Sequence, residues 1–181
     1  MRLAIASLLI ACLAGCAPAI KVTQDYDPAA QLTGLRTWAW QPGVRQASGD
    51  PRLDNSLLNA RVKAAIEKGL ADRGYATAAD PEAADFTVAY HLAIDKKLDA
   101  RTIYTGYGPY RGWAGGGTQT VVDQYDVGML IVDFIHPASD AVVWRGSAQS
   151  RVNETRDPEE RQALVQAAVD KLLAQFPPQP R

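Results

Sequence analysis

Nine consecutive residues, Phe86-Thr87-Val88-Ala89-Tyr90-His91-Leu92-Ala93-Ile94, alternate bulky apolar side chains with small or polar ones. A period of two puts Phe86, Val88, Tyr90, Leu92 and Ile94 on one face of a strand, which commits the chain to a sheet whose apolar face needs cover. A second run, Val127 to Ile135, is apolar on both sides, with Leu130, Val132 and Phe134 opposite Met129 and Ile131. That pattern belongs to a central strand. Turn formers follow in His136-Pro137-Ala138-Ser139-Asp140, and Ala141 to Ala148 resumes a strand pattern with Val142 and Trp144 on one face and Val143 on the other, so the two runs make a hairpin. Upstream, Leu35-Arg36-Thr37-Trp38-Ala39-Trp40 alternates in the same way and is stopped by Pro42-Gly43.

Two segments carry the other period. Leu58, Val62, Ala65, Ile66 and Leu70 recur at spacings of three and four; Asp54, Asn55 or Ser56 can cap the start and Gly74 stops the end. Lys63, Glu67 and Asp72 fall off the apolar stripe and read as a solvated face. Asp157-Pro158-Glu159-Glu160 has the marks of a helix start, and Leu164, Val165, Ala168, Leu172 and Phe176 continue it up to Pro177-Pro178. The order of elements lacks regular strand–helix alternation. It predicts an α+β fold, an antiparallel sheet of about four to five strands with two amphipathic helices packed on one face. The segment 95–124 reads as an irregular insertion or a loose hairpin, with Tyr104, Tyr107, Tyr110 and Trp113 spread among six glycines and either packed back on the sheet or turned to a partner.

The chain opens with Arg2, an apolar run from Leu3 to Leu13, and small residues before a cysteine. The run is short of the roughly 20 residues of a spanning helix, so it reads as a secretory signal. Leu13-Ala14-Gly15-Cys16 resembles the lipobox of bacterial lipoproteins. The resemblance implies cleavage between Gly15 and Cys16 and acylation of the Cys16 sulfur, with palmitate-type chains holding the protein to a membrane. Ala17, and not aspartate, follows the cysteine, which in such lipoproteins implies delivery to the outer membrane with the domain facing the periplasm. The expected organisation is a removed signal peptide (1–15), a short lipidated tether (16–21) and one domain (22–178).

Cys12 leaves with the signal and Cys16 is alkylated, so disulfides, cysteine metal sites and thiol nucleophiles are not expected. Of 19 basic side chains the signal removes Arg2, against 20 acidic ones, and no basic run exceeds Lys96-Lys97. A near-neutral balance of that kind disfavours nucleic-acid binding.

Several segments together resemble domain-of-unknown-function family 4136, a set of bacterial lipoproteins. They are Asp25-Tyr26-Asp27-Pro28, Leu35 to Trp40, Leu70-Ala71-Asp72-Arg73-Gly74-Tyr75, Ala84-Asp85-Phe86-Thr87-Val88-Ala89-Tyr90-His91, Gly128-Met129-Leu130-Ile131-Val132-Asp133 and Val143-Trp144-Arg145-Gly146. The resemblance implies an α+β envelope lipoprotein and brings no catalytic residues.

Candidate chemistry is sparse. His91 stands on a strand and His136 begins a turn; a metal would need carboxylates beside them, Asp95 or Asp133 for His91, and the plainer reading is a surface strand residue and a turn residue. Neither Ser139 nor Ser147 sits in a nucleophile motif. Asp133, an acid inside an apolar strand, points to structural hydrogen bonding or an edge position before catalysis. Gly106-Tyr107-Gly108-Pro109 has the wrong spacing for a phosphate loop. Tyr104, Tyr107, Tyr110 and Trp113 are the candidate contacts for a partner, since aromatics supply much of interface energy. The sequence thus predicts a non-enzymatic binding or accessory module of the envelope, without metal or cofactor, attached through lipid on Cys16 and contacting an envelope protein or a lipid. The alternative is a hydrolytic or metal-dependent periplasmic enzyme on the same scaffold.

Overall fold

A computed structural model describes residues 19–43, 48–105 and 117–179. Cys16 and Gly15, and the aromatics Tyr107, Tyr110 and Trp113, lie outside the described residues. Six strands form one sheet: β1 (Lys21–Tyr26), β2 (Thr37–Trp40), β3 (Ala76–Thr77), β4 (Phe86–Thr105), β5 (Gly117–His136) and β6 (Ala141–Arg151). Two helices accompany it, α1 (Ser56–Ala71) and α2 (Pro158–Leu173). The strand order is β1-β6-β5-β4-β2-β3.

The mixed α+β class holds and the sheet is mostly antiparallel, but it has six strands and β2 runs parallel to both β3 and β4. Parallel neighbours need a crossover. Here α1 is that crossover, carrying the chain from β2 back to enter β3 in the same direction. β3 is two exposed residues long, too short to leave a hydrophobic pattern. β1 escapes notice for a similar reason, since only Val22 and Tyr26 of its six residues are half-buried.

The even-numbered residues of β4 and β5, and those of β6 from Trp144 onward, share the inner face. Val88 pairs with Phe134, Tyr90 with Val132 and Leu92 with Leu130, while Phe134 pairs onward with Trp144. Phe86, Val88, Tyr90, Val132, Phe134 and Trp144 are buried there beneath Val62, Ile66 and Leu70 of α1 and Val169, Leu172 and Leu173 of α2. Phe176, just past α2, packs edge-on against Phe134 at 4.6 Å between ring centroids. Both helices begin with a side-chain cap: Asn55 accepts from the Leu58 amide and Asp157 from the Glu160 amide. Their close approach relies on Gly69, where a Cβ would lie 2.8 Å from Leu173 Cδ1.

The hairpin between β5 and β6 departs from the simple alternation. A bulge between Phe134 and Ile135 pairs Ile135 with Val142, so Val143 is the extra residue. Val142 consequently turns to solvent, 43% exposed, and Val143 packs against the core, the reverse of the faces read from alternation alone. The larger departure is at 95–124. β4 and β5 continue in register as far as Thr105 and Gly117, so most of the segment read as irregular is a regular antiparallel ladder.

Candidate functional site

The two helices close on the sheet at one end and stand away from it at the other. Near Gly69, Val169 and Leu173 they touch each other and the aromatic core. Toward their first turns several inner-face residues of the sheet are small, Gly128, Ala148 and Ser150, and α2 offers Ala168, so the space between the layers is not filled. What remains is a cleft of about 770 Å³, within the roughly 300–1,000 Å³ of small-molecule sites. Leu92, Ile94 and Leu130 form its floor, and Leu58, Leu164 and Val165 form its helical wall. Ile20, the second described residue, stands in the wall as well. Leu57 at the edge is 68% exposed.

The charged residues that line the cleft are five arginines, Arg52, Arg61, Arg151, Arg156 and Arg161, and one acid, Glu154. Arg52 is neutralised by Asp50 at 2.7 Å and Asp126 at 2.7 Å. Those two carboxylates raise its pKa well above the ordinary arginine value, and Arg52 in turn lowers that of Asp50. Arg161 donates to the carbonyls of Glu154 and Arg156 at 2.7 and 2.9 Å and so ties down the turn before α2. Among the described residues no carboxylate lies within ion-pair distance of Arg61 or Arg156.

The polar residues singled out in the sequence lie elsewhere, on the outer face of the sheet. Asp133 is buried and accepts two hydrogen bonds from its register partner Arg145, Nε at 2.6 Å and Nη2 at 2.7 Å. That bond raises the pKa of Arg145. His91 Nε2 approaches Asp133 Oδ2 to 3.8 Å with half of its side chain in solvent. Asp95 is four residues further along β4 and joins neither. Ser147 shares the outer face, but Ile131 stands between it and His91, a separation of two strand spacings or about 10 Å. His136 Nδ1 accepts from the Ala138 amide at 3.3 Å and Ser139 is exposed in the same turn. Among the described residues no group of three or more His, Cys, Asp or Glu side chains is placed to hold a metal ion. Tyr104 pairs with Thr118 near the described end of the hairpin.

The cleft was not legible in the sequence, because it is made by side chains that are too small. One signal pointed to it: Arg61 interrupts the apolar stripe of α1 three residues after Leu58, and Leu164, Val165 and Ala168 extend the stripe of α2 beyond its contact with the core.

Comparison with known proteins follows the fold. The sequence profile of a domain of unknown function, DUF4136, matches residues 22–178. A DUF4136 family protein from Bacteroides thetaiotaomicron is similar in structure, with a TM-score of 0.52, 16% identity, and 87% of this chain and 96% of that one covered. A PDZ domain protein from Parabacteroides distasonis superposes with a TM-score of 0.53 at 14% identity. That match covers 91% of this chain but spans only 36% of the other protein's length. The PelC dodecamer from Paraburkholderia phytofirmans aligns over 86% of this chain and 96% of its own, at 14% identity and a TM-score of 0.48. No curated protein matches the sequence.

Proposed function

Because the chain belongs to the DUF4136 family, a domain family of unknown function, we propose that it is a lipid-anchored envelope module without enzymatic activity that holds an apolar small molecule between its helices and its sheet. The cleft carries this reading. Its lining is mainly apolar, its one acid is Glu154, and no histidine lines it among the described residues. Water against such walls is released when an apolar ligand enters, which is the driving force for occupancy. General acid–base chemistry needs a titratable group within hydrogen-bond reach of a reacting atom. Among the described residues the one histidine–carboxylate contact, His91 with Asp133, faces the opposite side of the sheet.

Anchoring supplies the ligand's source. Cys16 precedes Ile20 by four residues, so acylation there holds the cleft wall within about 14 Å of the lipidated sulfur, at 3.3–3.6 Å per extended residue. Two or more acyl chains anchor firmly, where a single chain binds only reversibly. The proposed setting is the periplasmic side of the outer membrane, with bilayer components as the nearest apolar molecules.

Mass spectrometry tests both halves. The mature N-terminus should be an acylated Cys16, and Cys16→Ser should leave an unprocessed or soluble chain; an unmodified N-terminus elsewhere removes the anchor. Organic extraction of protein purified from cell envelopes should release an apolar molecule, and Ala168→Phe, which fills the cleft, should reduce its yield. Equal yields from both proteins would remove the cleft from the reading.

A further inference from the structure

We infer that the cleft selects a single-chain amphiphile with an anionic head, the head held between Arg61 and Arg156 and the chain laid along Leu58, Val165 and Leu130. The inference rests on the cleft being a ligand site and adds the ligand's class and orientation.

Charge complementarity carries it. Five arginines border the cleft and only one carboxylate, Glu154, does so. Two of the five are already committed. Arg52 is held by Asp50, Asp126 and Glu154. Arg151 lies over the Tyr125 ring at 3.9 Å from its centroid, on the outer side of the ladder. A third, Arg161, spends its donors on backbone carbonyls. Arg61 and Arg156 are different. Both are half-buried, and among the described residues Arg156 makes a single long bond, 3.4 Å, to the Arg151 carbonyl. A half-buried guanidinium with open donor positions beside hydrocarbon favours a ligand that brings an anion, since charge-assisted bonds are stronger than neutral ones and Arg presents a fork that fits carboxylate or phosphate oxygens.

The backbone adds to this preference. Asn55 and Ser56, the cap and first residue of α1, line the same cleft, and the first turn of α1 contains no acidic residue. The first turn itself thus supplies no carboxylate to offset the positive end of the helix dipole. The start of α2 carries Glu159 and Glu160 and the cap Asp157, which accepts from the Glu160 amide, and none of the three lines the cleft. Hydrocarbon within, two guanidinium groups with open donor positions and a helix start without first-turn acids match a molecule that is apolar along its length and negative at one end. A neutral amphiphile would leave the arginines unanswered, and a cationic one would be repelled by them.

The test uses the full chain reconstituted in phosphatidylcholine vesicles and labelled with a dodecanoate that carries a diazirine on its terminal carbon. Photolabelled peptides should map to 57–62 and 164–168, the helical wall of the cleft. Unlabelled dodecanoate or dodecyl phosphate should suppress labelling at roughly tenfold lower concentration than dodecanol, and whichever of the two is stronger identifies a carboxylate or phosphate head. In Arg61→Gln/Arg156→Gln that advantage should disappear while competition by dodecanol is unchanged, which also reports that the cleft remains folded. Arg61→Lys, combined with native Arg156, should keep most of it. If dodecanol competes as well as the two anions in the wild-type chain, or the double variant keeps the anion's advantage, the headgroup assignment is wrong although the cleft still binds. Absence of any adduct in either helix would overturn the ligand site together with it.

Discussion

Asp133 and Arg145 face each other across β5 and β6 as direct register partners and meet through two parallel hydrogen bonds of 2.6 and 2.7 Å. The carboxylate is 3% exposed and the guanidinium 49%. The arginine thus forms a lid over an acid that water cannot otherwise reach. Truncation of the lid strands a buried charge. Arg145→Ala should destabilise the domain by about 1–3 kcal/mol, toward the lower end of what a broken buried pair costs because solvent enters from the exposed side. Arg145→Ala combined with Asp133→Asn should recover part of that loss, since the neutral amide is cheaper to leave unpaired. Urea unfolding of the two single variants and the double one measures the coupling; a coupling near zero means that the pair contributes no stability.

The core aromatic stack leaves no room at one backbone position. A Cβ on Gly146 would fall 2.5 Å from Trp144 Cη2 and 2.7 Å from Leu172 Cδ2. Overpacking of a well-filled core costs roughly 1–3 kcal/mol. Gly146→Ala should lower the thermal midpoint by several degrees, while Lys63→Asp, on the exposed face of α1, should change it little. Val62→Asp and Leu172→Asp place charges at sites 1% exposed and should prevent folding. Matching midpoints for all four variants would show that the helix faces are misassigned.

Those faces are also where the sequence is most informative. Leu58, Val62, Ala65, Ile66 and Leu70 meet the sheet as their spacing requires, because a helix face and its burial share one periodicity. The alternation from Phe86 to Ile94 works for the same reason. The signal fades wherever a strand buries neither face. Beyond Lys96 the β4–β5 ladder buries no side chain from Lys97 to Thr102 or from Gln119 to Asp126, with Leu98 70% and Val122 56% accessible on one face, so its composition resembles a loop although its backbone is paired. Its register is inherited from the buried half of the same two strands. The bulge at Ile135 is invisible for another reason: an inserted residue shifts Val142 and Val143 by one face without changing either residue type. The cleft belongs to the same class, being defined by Gly128, Ala148 and Ala168, whose smallness has meaning only when the opposite wall is known. Glu67, read as part of a solvated face, accepts a 3.0 Å hydrogen bond from Trp40 Nε1, a contact that local spacing does not reveal.

Asp85 links the start of β4 to β2. Its Oδ2 accepts from the amides of Arg36 and Thr37 at 2.7 and 2.8 Å and from the Thr37 hydroxyl at 3.0 Å. The amide bonds, first of all that of Arg36, lower the pKa of the carboxyl. A folded-state pKa below the unfolded value of about 3.9 stabilises the fold above that pH, and the contribution is lost as pH falls through the folded value. Asp85→Ala should cost about 1 kcal/mol at neutral pH, given the exposure of the site. It should also flatten the acid limb of stability against pH between about pH 4 and pH 2. Asp54, whose pKa is lowered by the Ser48 amide and hydroxyl, keeps part of that slope in the variant. Urea midpoints across that range decide the matter: an acid limb identical to wild type would mean that Asp85 is not responsible for it.

The last expectation concerns the arm. Only β4 and β5 pair beyond the Val127–Arg151 contact, so the ten register pairs from Lys96–Asp126 to Thr105–Gly117 form a two-stranded ribbon without a third strand. At about 3.3 Å per residue it extends roughly 30 Å from the domain. Two-stranded ribbons are at best marginally stable alone in water. Among the described residues no buried hydrophobic lies between Lys96 and Asp126, and the ribbon's own apolar residues Leu98 and Val122 face solvent. Replacement of residues 98–124 by an Asn-Gly turn should therefore leave the thermal midpoint within a few degrees of wild type, since that dipeptide suits a tight two-residue hairpin and the buried half of the ladder keeps its register. The ribbon would then be free to serve a partner through Tyr104 and the aromatics beyond it. Capture experiments from solubilised envelopes should lose that partner with the deletion. A large fall in the midpoint, or aggregation of the shortened protein, would mean that the ribbon covers the domain instead of reaching away from it.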